Sequence, residues 1–359
     1  MDELTTHQRL SLIFQHKPAD RVPIIDGPWE STLARWHSEG LPADFNWFDY
    51  FGVDTILAPS DFPIFDVSPQ FEVRVIEETD SYIIQQDQWG LVSKNFKPIN
   101  STPLHIDSLI KDPQTWRAAK PRMTPSRERI NWAMLDEYFK YGNERGGWII
   151  MAPWTGFDIV CTRMINSQTV LMALAEDPGW ILDMFTTGCD LTLALLDMMW
   201  KEGYHFDELM WFDDMAYKNG MLISKKMWRN YLRPYQKRIV DWAHAHDIPA
   251  HLHCCGNISS LIPELIEMGI DALDPLEIKA GMNPIQIKRE YGKDLVLRGG
   301  FDIQNWSDPA LYERDIRTIL PVLMQDGGYI FSSDHSIADS VSLQNFQRIL
   351  ELVKEVGSY

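Results

Sequence analysis

Residues 251–257, with the sequence HLHCCGN, hold two of the ten histidines and two of the four cysteines of the chain. This heptapeptide ends an apolar run with the character of a strand, and alternate residues of a strand project to one face. His253 and Cys255 are then expected to point the same way, and an imidazole beside a thiolate suits a metal such as zinc. A single His-x-Cys more often marks a buried cysteine beside a hydrogen-bonded histidine, so the surrounding elements must decide.

The composition excludes several classes of protein. Of 359 residues, 45% are apolar and 23% are charged, which is typical of a globular domain, and the net charge is −18. That charge argues against a nucleic-acid binder or a protein of anionic membrane surfaces. The cysteines lack the spacing of a disulfide framework, the first residues lack a signal-peptide pattern, and no run of about 18 apolar residues offers a membrane span. We therefore expect a reduced, soluble, cytoplasmic protein.

Eight short apolar runs alternate with helical patterns along the chain. The predicted strands span residues 21–26, 54–59, 147–152, 208–213, 247–253, 271–274, 294–298 and 329–332. The predicted helices span residues 4–16, 125–142, 177–202, 224–246, 259–268, 283–291, 309–325 and 342–356. This alternation predicts a (β/α)8 TIM barrel that forms a single domain over residues 1–359. An open doubly wound sheet is the rival fold, but no Gly-x-Gly-x-x-Gly follows the first strand.

Three segments stand outside this alternation. Residues 1–20 are predicted to form an N-terminal helical extension that covers one end of the barrel. Residues 70–98 contain β-rich runs around a polar turn and predict an inserted antiparallel hairpin or meander. Residues 99–122 carry several prolines and are predicted to be loop with a short helix.

Polar and aromatic residues gather at the carboxyl ends of the predicted strands, where a TIM barrel places its active site. The candidates for substrate binding are Asp26, Asp61, Trp154, Trp211, Glu277 and Asp302. For the two tryptophans, a place in the core is the alternative. Asp213 and Asp214 are the catalytic candidates, as a general base, a partner that orients a histidine ligand, or a fourth ligand. A helix cap or a loop ion pair is the alternative for this acidic pair.

The loops after strands five and eight can converge over the mouth of the barrel. His335, after strand eight, is therefore predicted to join His253 and Cys255 as the third metal ligand. Three protein ligands leave one position open for a substrate, which is the pattern of catalytic zinc. The alternative is that His335 only hydrogen-bonds within its own loop. We expect Cys254 in the core and His251 deeper in the barrel, as a core residue or a partner of the ligands.

Four stretches of the second half resemble the uroporphyrinogen decarboxylase superfamily. They are residues 253–257 (HCCGN), 264–275 (ELIEMGIDALDP), 299–302 (GGFD) and 327–335 (GGYIFSSDH). The resemblance is good from about residue 176 to the end and implies a (β/α)8 fold. Its members include porphyrinogen decarboxylases and the methyltransferases of cobamide-dependent systems.

The metal-binding stretch resembles the methyltransferase branch more than the decarboxylases. In that branch a His-x-Cys after the fifth strand binds zinc together with a cysteine after the eighth, and this chain matches the first part at His253 and Cys255. His335 stands where the second thiolate is expected, and decarboxylases also carry a histidine near that position. The decarboxylases have an arginine-rich loop after the first strand for substrate propionates, but here residues 26–30 read DGPWE.

The resemblance thus implies a zinc-dependent methyltransferase that docks a separate corrinoid protein and moves a methyl group between its cobamide and a small substrate. The zinc would act as a Lewis acid. The 14 tryptophans and 16 methionines favour a methoxy aromatic, as in O-demethylase systems, with a thiol as the other choice. The alternatives are a uroporphyrinogen-type decarboxylase without a metal, and a non-catalytic barrel that binds a tetrapyrrole or a corrinoid protein. A homodimer is left open.

Overall fold

The computed structural model describes residues 3–59, 61–97 and 103–359. Its strands are β1 (Ile56–Leu57), β2 (Arg74–Glu78), β3 (Tyr82–Gln86), β4 (Leu91–Phe96), β5 (Leu104–Ser108), β6 (Trp148–Met151), β7 (Glu208–Phe212), β8 (Ala216–Tyr217), β9 (Gly220–Met221), β10 (Ala250–His253), β11 (Ala272–Asp274), β12 (Val296–Arg298) and β13 (Tyr329–Ile330). Its α-helices are α1 (Thr6–Phe14), α2 (Glu30–Ser38), α3 (Trp47–Phe51), α4 (Pro113–Ala119), α5 (Trp132–Glu144), α6 (Phe157–Ile159), α7 (Ser167–Glu176), α8 (Gly179–Lys201), α9 (Lys225–Met227), α10 (Arg233–Ala245), α11 (Ile262–Met268), α12 (Pro284–Tyr291), α13 (Pro309–Leu323) and α14 (Leu343–Val356).

A parallel sheet forms the frame, and in the described part of the chain it has seven strands in the order β1-β6-β7-β10-β11-β12-β13. The segment around Ile24 closes the ring between the two edge strands. The Phe331 N–H donates to the Pro23 carbonyl (2.8 Å), and the Asp54 N–H donates to the Ile24 carbonyl (3.3 Å). The predicted (β/α)8 barrel is confirmed. Its first strand, predicted over 21–26, is present as single bridges rather than a continuous ladder.

Strand side chains alternate between the barrel interior and the layer beneath the helices, as a period of two requires. The interior holds Met210, Ala272, Val296 and Ile330, and Leu10 of α1 packs into the same cluster. The predicted N-terminal helical extension therefore closes one end of the barrel. Because an interior residue alternates with an outer one, the strand register fixes which side chains can reach the mouth.

Trp211 lies in the outer layer, where it packs with Leu209 and Leu252 in the larger apolar core. Its side chain is fully buried there. The prediction that Trp211 binds substrate is therefore wrong. Its neighbours on the strand, Met210 and Phe212, belong to the interior cluster. Because successive side chains of a strand point to opposite faces, the side chain of Trp211 points away from the barrel interior.

Helix ends follow local sequence signals. Ser224 caps α9 by accepting a hydrogen bond from the Met227 N–H (3.2 Å), and Gly269 ends α11 with a left-handed φ of 103°. The continuous helix predicted over 224–246 is interrupted, because a π-helical turn, Trp228–Leu232, separates α9 from α10. Pro234 is the second residue of α10, where its missing N–H does least harm.

The inserted sheet is larger than predicted. It contains β2, β3, β4 and β5 in antiparallel order, and the predicted meander over 70–98 accounts for the first three of these strands. The fourth, β5, pairs with β4 in a segment predicted to be loop, because flanking prolines obscured its alternation. Residue 98, at the end of the predicted insertion, lies outside the described residues.

One described helix, α8, is long and apolar enough to cross a membrane by length and composition. Its 18-residue apolar window is 56% buried inside the structure, and Phe185, Leu191 and Leu195 of this helix belong to the main core. This is the packing of a helix in the outer layer of a barrel, so α8 alone is weak support for a membrane span.

Candidate metal centre and substrate cavity

The candidate site is built by three adjacent parallel strands. In the sheet register, His253 at the end of β10 lies beside Phe212 of β7 on one side and Asp274 of β11 on the other. All three residues end their strands at the carboxyl edge, where the barrel opens. The fold therefore brings the histidine of the His-x-Cys pair to the mouth with a carboxylate next to it.

Three different donor atoms meet at this point. His253 Nε2 lies 3.5 Å from Cys255 Sγ and 4.0 Å from Asp214 Oδ1, and the ligand atoms of these residues lie within 4.8 Å of one another. Ligands of one zinc ion, each about 2.0–2.3 Å from it, stand about 3–4 Å apart. Nitrogen, sulfur and oxygen are all zinc donors, so the residues present fit the metal.

The orientation of His253 is fixed from behind. Its Nδ1 lies 3.2 Å from Asp274 Oδ2, which leaves Nε2 directed towards Cys255. The same carboxylate oxygen is 2.7 Å from Arg298 Nη2. A carboxylate on the second ring nitrogen is the usual support of a metal-binding histidine, because it sets the tautomer and the ring direction.

Charges around the site favour a cation. Burial raises the pKa of the Cys255 thiol, and nearby carboxylates, chiefly Asp214 and Glu277, raise it further. Burial alone would lower the pKa of His253, but the carboxylates of Asp274 and Asp214 outweigh it and raise that pKa. A bound cation would offset this excess of negative charge and favour the thiolate.

A cavity of about 460 Å³ opens in front of the ligands. Its lining includes Phe212, His253, Cys255, Arg298, Asp26 and His335. Asp26 accepts hydrogen bonds from the Ser333 N–H (2.8 Å) and hydroxyl (3.0 Å). Burial raises the pKa of Asp26 to about 6 even though these bonds oppose the shift. The predicted substrate-binding residue Asp26 thus faces the same space as the metal ligands.

The second half of the chain carries a family signature. Residues 148–356 match the profile of the uroporphyrinogen decarboxylase family, URO-D. The chain belongs to this family. No curated protein matches it.

A solved methyltransferase structure shares the fold. A methyltransferase from Methanosarcina mazei is 15% identical, with a TM-score of 0.63, and the match covers 98% of this chain and 99% of that one. A glycosylated endo-β-1,4-xylanase from Gloeophyllum trabeum is 10% identical with a TM-score of 0.39, over 65% of this chain and 83% of that one. The resemblance to the superfamily inferred from residues 253–335 is confirmed by the family match.

The two aspartates after β7 have different surroundings in this family member. Asp214 is partly exposed and accepts a hydrogen bond from the Cys255 N–H (2.6 Å), so it belongs to the metal group. Asp213 is fully buried and accepts from the Tyr235 hydroxyl (2.5 Å) and Gln236 Nε2 (2.7 Å). Burial raises the pKa of Asp213 to about 6. Its contacts make it a support for the loop rather than a group that touches substrate.

His335, predicted as the third ligand, lines the cavity but lies outside the group of three. Its ring stacks on Trp29 with centroids 5.9 Å apart, and its Nδ1 accepts a hydrogen bond from the Ser336 N–H (3.0 Å). Burial, together with the charge of Lys279, lowers the pKa of His335. This geometry favours Asp214 over His335 as the third ligand.

The remaining candidates lie around the mouth rather than in the cavity. Glu277 accepts from the Gly256 N–H (2.6 Å) and steadies the loop after β10. Trp154 donates to Asp158 Oδ2 (2.5 Å). Asp61 is exposed, and Asp302 caps a 3₁₀ turn by accepting from the Gln304 N–H (3.0 Å). These four residues were predicted to bind substrate, and none of them lines the cavity.

The sequence analysis assigned no role to Asp274 or Arg298, although each is the last residue of a barrel strand. Asp158 was also missed; burial raises its pKa to about 7, and the charge of Asp214 adds to the shift. The strand period could have identified two of these residues. Asp274 and Arg298 each lie two positions after an interior residue, Ala272 and Val296 respectively, and therefore face the same side of the sheet. A charged residue at such a position points over the barrel axis.

Proposed function

We propose that this member of the uroporphyrinogen decarboxylase family is a zinc-dependent methyltransferase that works with a corrinoid protein. The observation that carries the proposal is the meeting of Asp214, His253 and Cys255 at the open end of the barrel, beside a cavity. The fold shared with a methyltransferase over 98% of this chain supports it.

Asp214, His253 and Cys255 would hold the zinc. When bound, zinc supplies Lewis acidity that polarises a methoxy oxygen or lowers the pKa of a thiol. Asp274 keeps His253 in the orientation that presents Nε2, and Glu277 holds the loop that carries Cys255 through the Gly256 N–H. The chain thus supplies three ligands and leaves the cavity side open to a substrate.

The methyl group would leave the substrate without its bonding electrons. The corrinoid of the partner protein, in its two-electron reduced state, supplies the pair for the new bond to carbon, and the substrate oxygen or sulfur keeps the old pair and takes up a proton. Asp26 lines the cavity, and its pKa of about 6 suits it to exchange a proton near neutral pH. Transfer in the opposite direction would use the same groups in reverse.

The charge of the cavity narrows the substrate class. Asp26 and Asp334 line it, and the cation Arg298 is already committed to Asp274 at 2.7 Å. A neutral substrate such as a methoxy phenol, or a thiol, suits this field better than a molecule with several carboxylates. The same argument opposes decarboxylation of uroporphyrinogen.

A methyl-transfer assay tests the proposal. Untagged, zinc-loaded protein is mixed with guaiacol and cob(I)alamin, and the loss of the cob(I)alamin absorption is followed. Transfer is expected from guaiacol and is expected to disappear in Cys255→Ala. The carboxylated analogue, vanillate, is expected to bind about tenfold more weakly, which corresponds to about 1.4 kcal/mol of charge repulsion. No transfer from methoxy aromatics or methylated thiols, with carbon dioxide released from uroporphyrinogen, would support the decarboxylase instead.

A further inference from the structure

A line of charged side chains crosses the otherwise apolar interior of the barrel. Glu208 and His251 are essentially inaccessible to solvent, as is Asp274 at the mouth. At the same depth the neighbouring strands contribute Met210, Ala272 and other apolar residues. Burying ionisable groups among such residues is costly unless they pair with one another, so this line needs an explanation.

The contacts along the line are continuous. Glu208 Oε1 lies 2.5 Å from His251 Nδ1, and His251 Nε2 lies 3.1 Å from Asp274 Oδ1. The second oxygen of Asp274 then reaches His253 Nδ1 at 3.2 Å. At the far end, Trp148 Nε1 donates to Glu208 Oε2 (2.8 Å). Each carboxylate oxygen of the line thus has a neighbouring nitrogen, and the contact between His251 Nε2 and Asp274 Oδ1 is an ion pair without hydrogen-bond alignment.

We infer that Glu208 and His251 are positioning residues for His253, acting through Asp274. This inference rests on the proposed metal centre. Asp274 can direct His253 only if its carboxylate plane is fixed, and His251 holds the oxygen that does not face His253. Glu208, in turn, sets the ring of His251, because it binds one nitrogen and leaves the other for Asp274.

The charges agree with this role. Burial alone would lower the pKa of His251, but the carboxylates of Glu208 and Asp274 outweigh it and raise that pKa. Burial favours the neutral form of Asp274, yet Arg298 and the two histidines hold its pKa well below the usual range. Asp274 therefore stays a carboxylate, the form that can accept a hydrogen bond from His253 and attract the His251 ring as an ion pair.

Glu208→Gln is the sharpest variant. Glutamate offers an acceptor to Trp148 and to His251 at once, whereas the glutamine amide has one oxygen, so one of these two donors must lose its acceptor. Zinc affinity is measured by competition with a chromophoric chelator, and the Co²⁺-substituted protein is examined for its absorption bands. We expect affinity to fall about tenfold, the lower end of what partners of metal ligands contribute, and the cobalt bands to shift.

A double-mutant cycle separates positioning from a general loss of stability. If Glu208 acts through Asp274, the double variant Glu208→Gln/Asp274→Asn binds zinc no more weakly than Asp274→Asn alone. Asp54→Asn is the matched control, since Asp54 is another fully buried carboxylate of the barrel, paired with Arg9 away from the mouth. It is expected to leave zinc affinity and the cobalt bands unchanged. Should Glu208→Gln fail to fold, Trp148→Phe removes the donor at the end of the line and leaves an aromatic ring at that position.

Wild-type zinc affinity and cobalt bands in Glu208→Gln, or additive losses in the cycle, would overturn the inference while leaving the metal centre intact. If the wild-type protein itself binds no zinc, the proposed function fails as well. The two failures are thus distinguishable in one set of titrations.

Discussion

Two buried charge networks stand at opposite ends of this barrel, and they differ in how completely they are paired. At the amino end, Arg9 binds Asp20 at 2.7 Å and Asp54 at 2.5 Å, and Arg21 also binds Asp54 at 2.7 Å. The Ile24 N–H completes the acceptors of Asp54 (2.8 Å). At the carboxyl end, the line of charges terminates at Cys255, which lines a cavity, and at Asp214 beside it.

The difference indicates which network serves stability and which serves chemistry. The amino-end network joins α1 to the strands and has its cations and carboxylates matched among themselves. The carboxyl-end network has an excess of carboxylates, and burial together with that excess raises the pKa of Cys255 above its usual value. Perturbed groups that converge beside a cavity are the usual mark of a functional site, whereas matched buried pairs mainly stabilise.

Removing the thiol should have the largest effect on zinc binding. Structural zinc sites with four ligands are worth about 10–16 kcal/mol, so one ligand contributes about 2.5–4 kcal/mol, or about 60-fold to 700-fold in affinity. We expect Cys255→Ala to lose that much zinc affinity in a chelator competition. Cys254→Ala is the control, because Cys254 is buried in the core and its sulfur accepts from the Met215 N–H (3.2 Å). Equal losses in both variants would contradict the assignment.

Breaking the amino-end network should lower stability without touching the metal. Asp54→Asn leaves Arg9 and Arg21 without their shared carboxylate in a buried setting, and losses of this kind cost about 3–5 kcal/mol. Urea unfolding should show a lower midpoint, while zinc affinity stays at the wild-type value. A stable Asp54→Asn protein with weakened zinc binding would show that the two ends are coupled.

A smaller effect is expected for substrate binding at Asp26. The carboxylate lines the cavity and retains acceptor capacity beyond its bonds to Ser333 and Gly27. Asp26→Asn should raise the KM for a hydroxyl-bearing methoxy aromatic about tenfold, because a charge-assisted hydrogen bond is replaced by a neutral one. Asp61→Asn, at an exposed position outside the cavity, should not change it. Steady-state kinetics of both variants check this contrast.

An effect of similar size is expected in the pH dependence of stability. Arg9 holds the pKa of Asp20 down at about 2, against the opposing effect of burial, and an unfolded aspartate titrates near 4. A depressed pKa stabilises the folded state at pH values above about 4, and this contribution is lost as the pH falls towards 2. Because Asp20 is partly exposed, we expect about 1–2 kcal/mol. Asp20→Asn should remove that part of the acid dependence in urea titrations between pH 5 and pH 2.

Much of the fold followed from the sequence because local signals agreed with the global pattern. The alternation of apolar runs and helices predicted the barrel, and Ser224 and Gly269 marked helix ends that the structure retains. The strand β5 was missed, since its pairing with β4 is a tertiary contact and prolines surround it. Trp211 was wrongly predicted to reach the substrate, because a difference of one residue along a strand places a side chain on the other face of the sheet.

The candidate site was only partly predictable. His253 and Cys255 are close in sequence, so the strand period alone placed them together. Asp274 and Arg298 come from the next two strands of the sheet, and the contacts of Asp274 with His253 and of Arg298 with Asp274 depend on the sheet register. The choice between Asp214 and His335 depends on loop conformation, which carries no simple pattern. Asp213 and Asp214, adjacent in sequence, point into a buried hydrogen-bond network and into the metal group respectively.

The most direct measurement is X-ray absorption at the zinc edge of protein purified without a histidine tag. We expect about one zinc per chain, with a single sulfur neighbour from Cys255 and the remaining neighbours nitrogen or oxygen, at least one of them an imidazole. A protein that retains no zinc from a zinc-containing buffer, or a bound ion without any sulfur neighbour, would contradict the claim that Asp214, His253 and Cys255 form a metal centre.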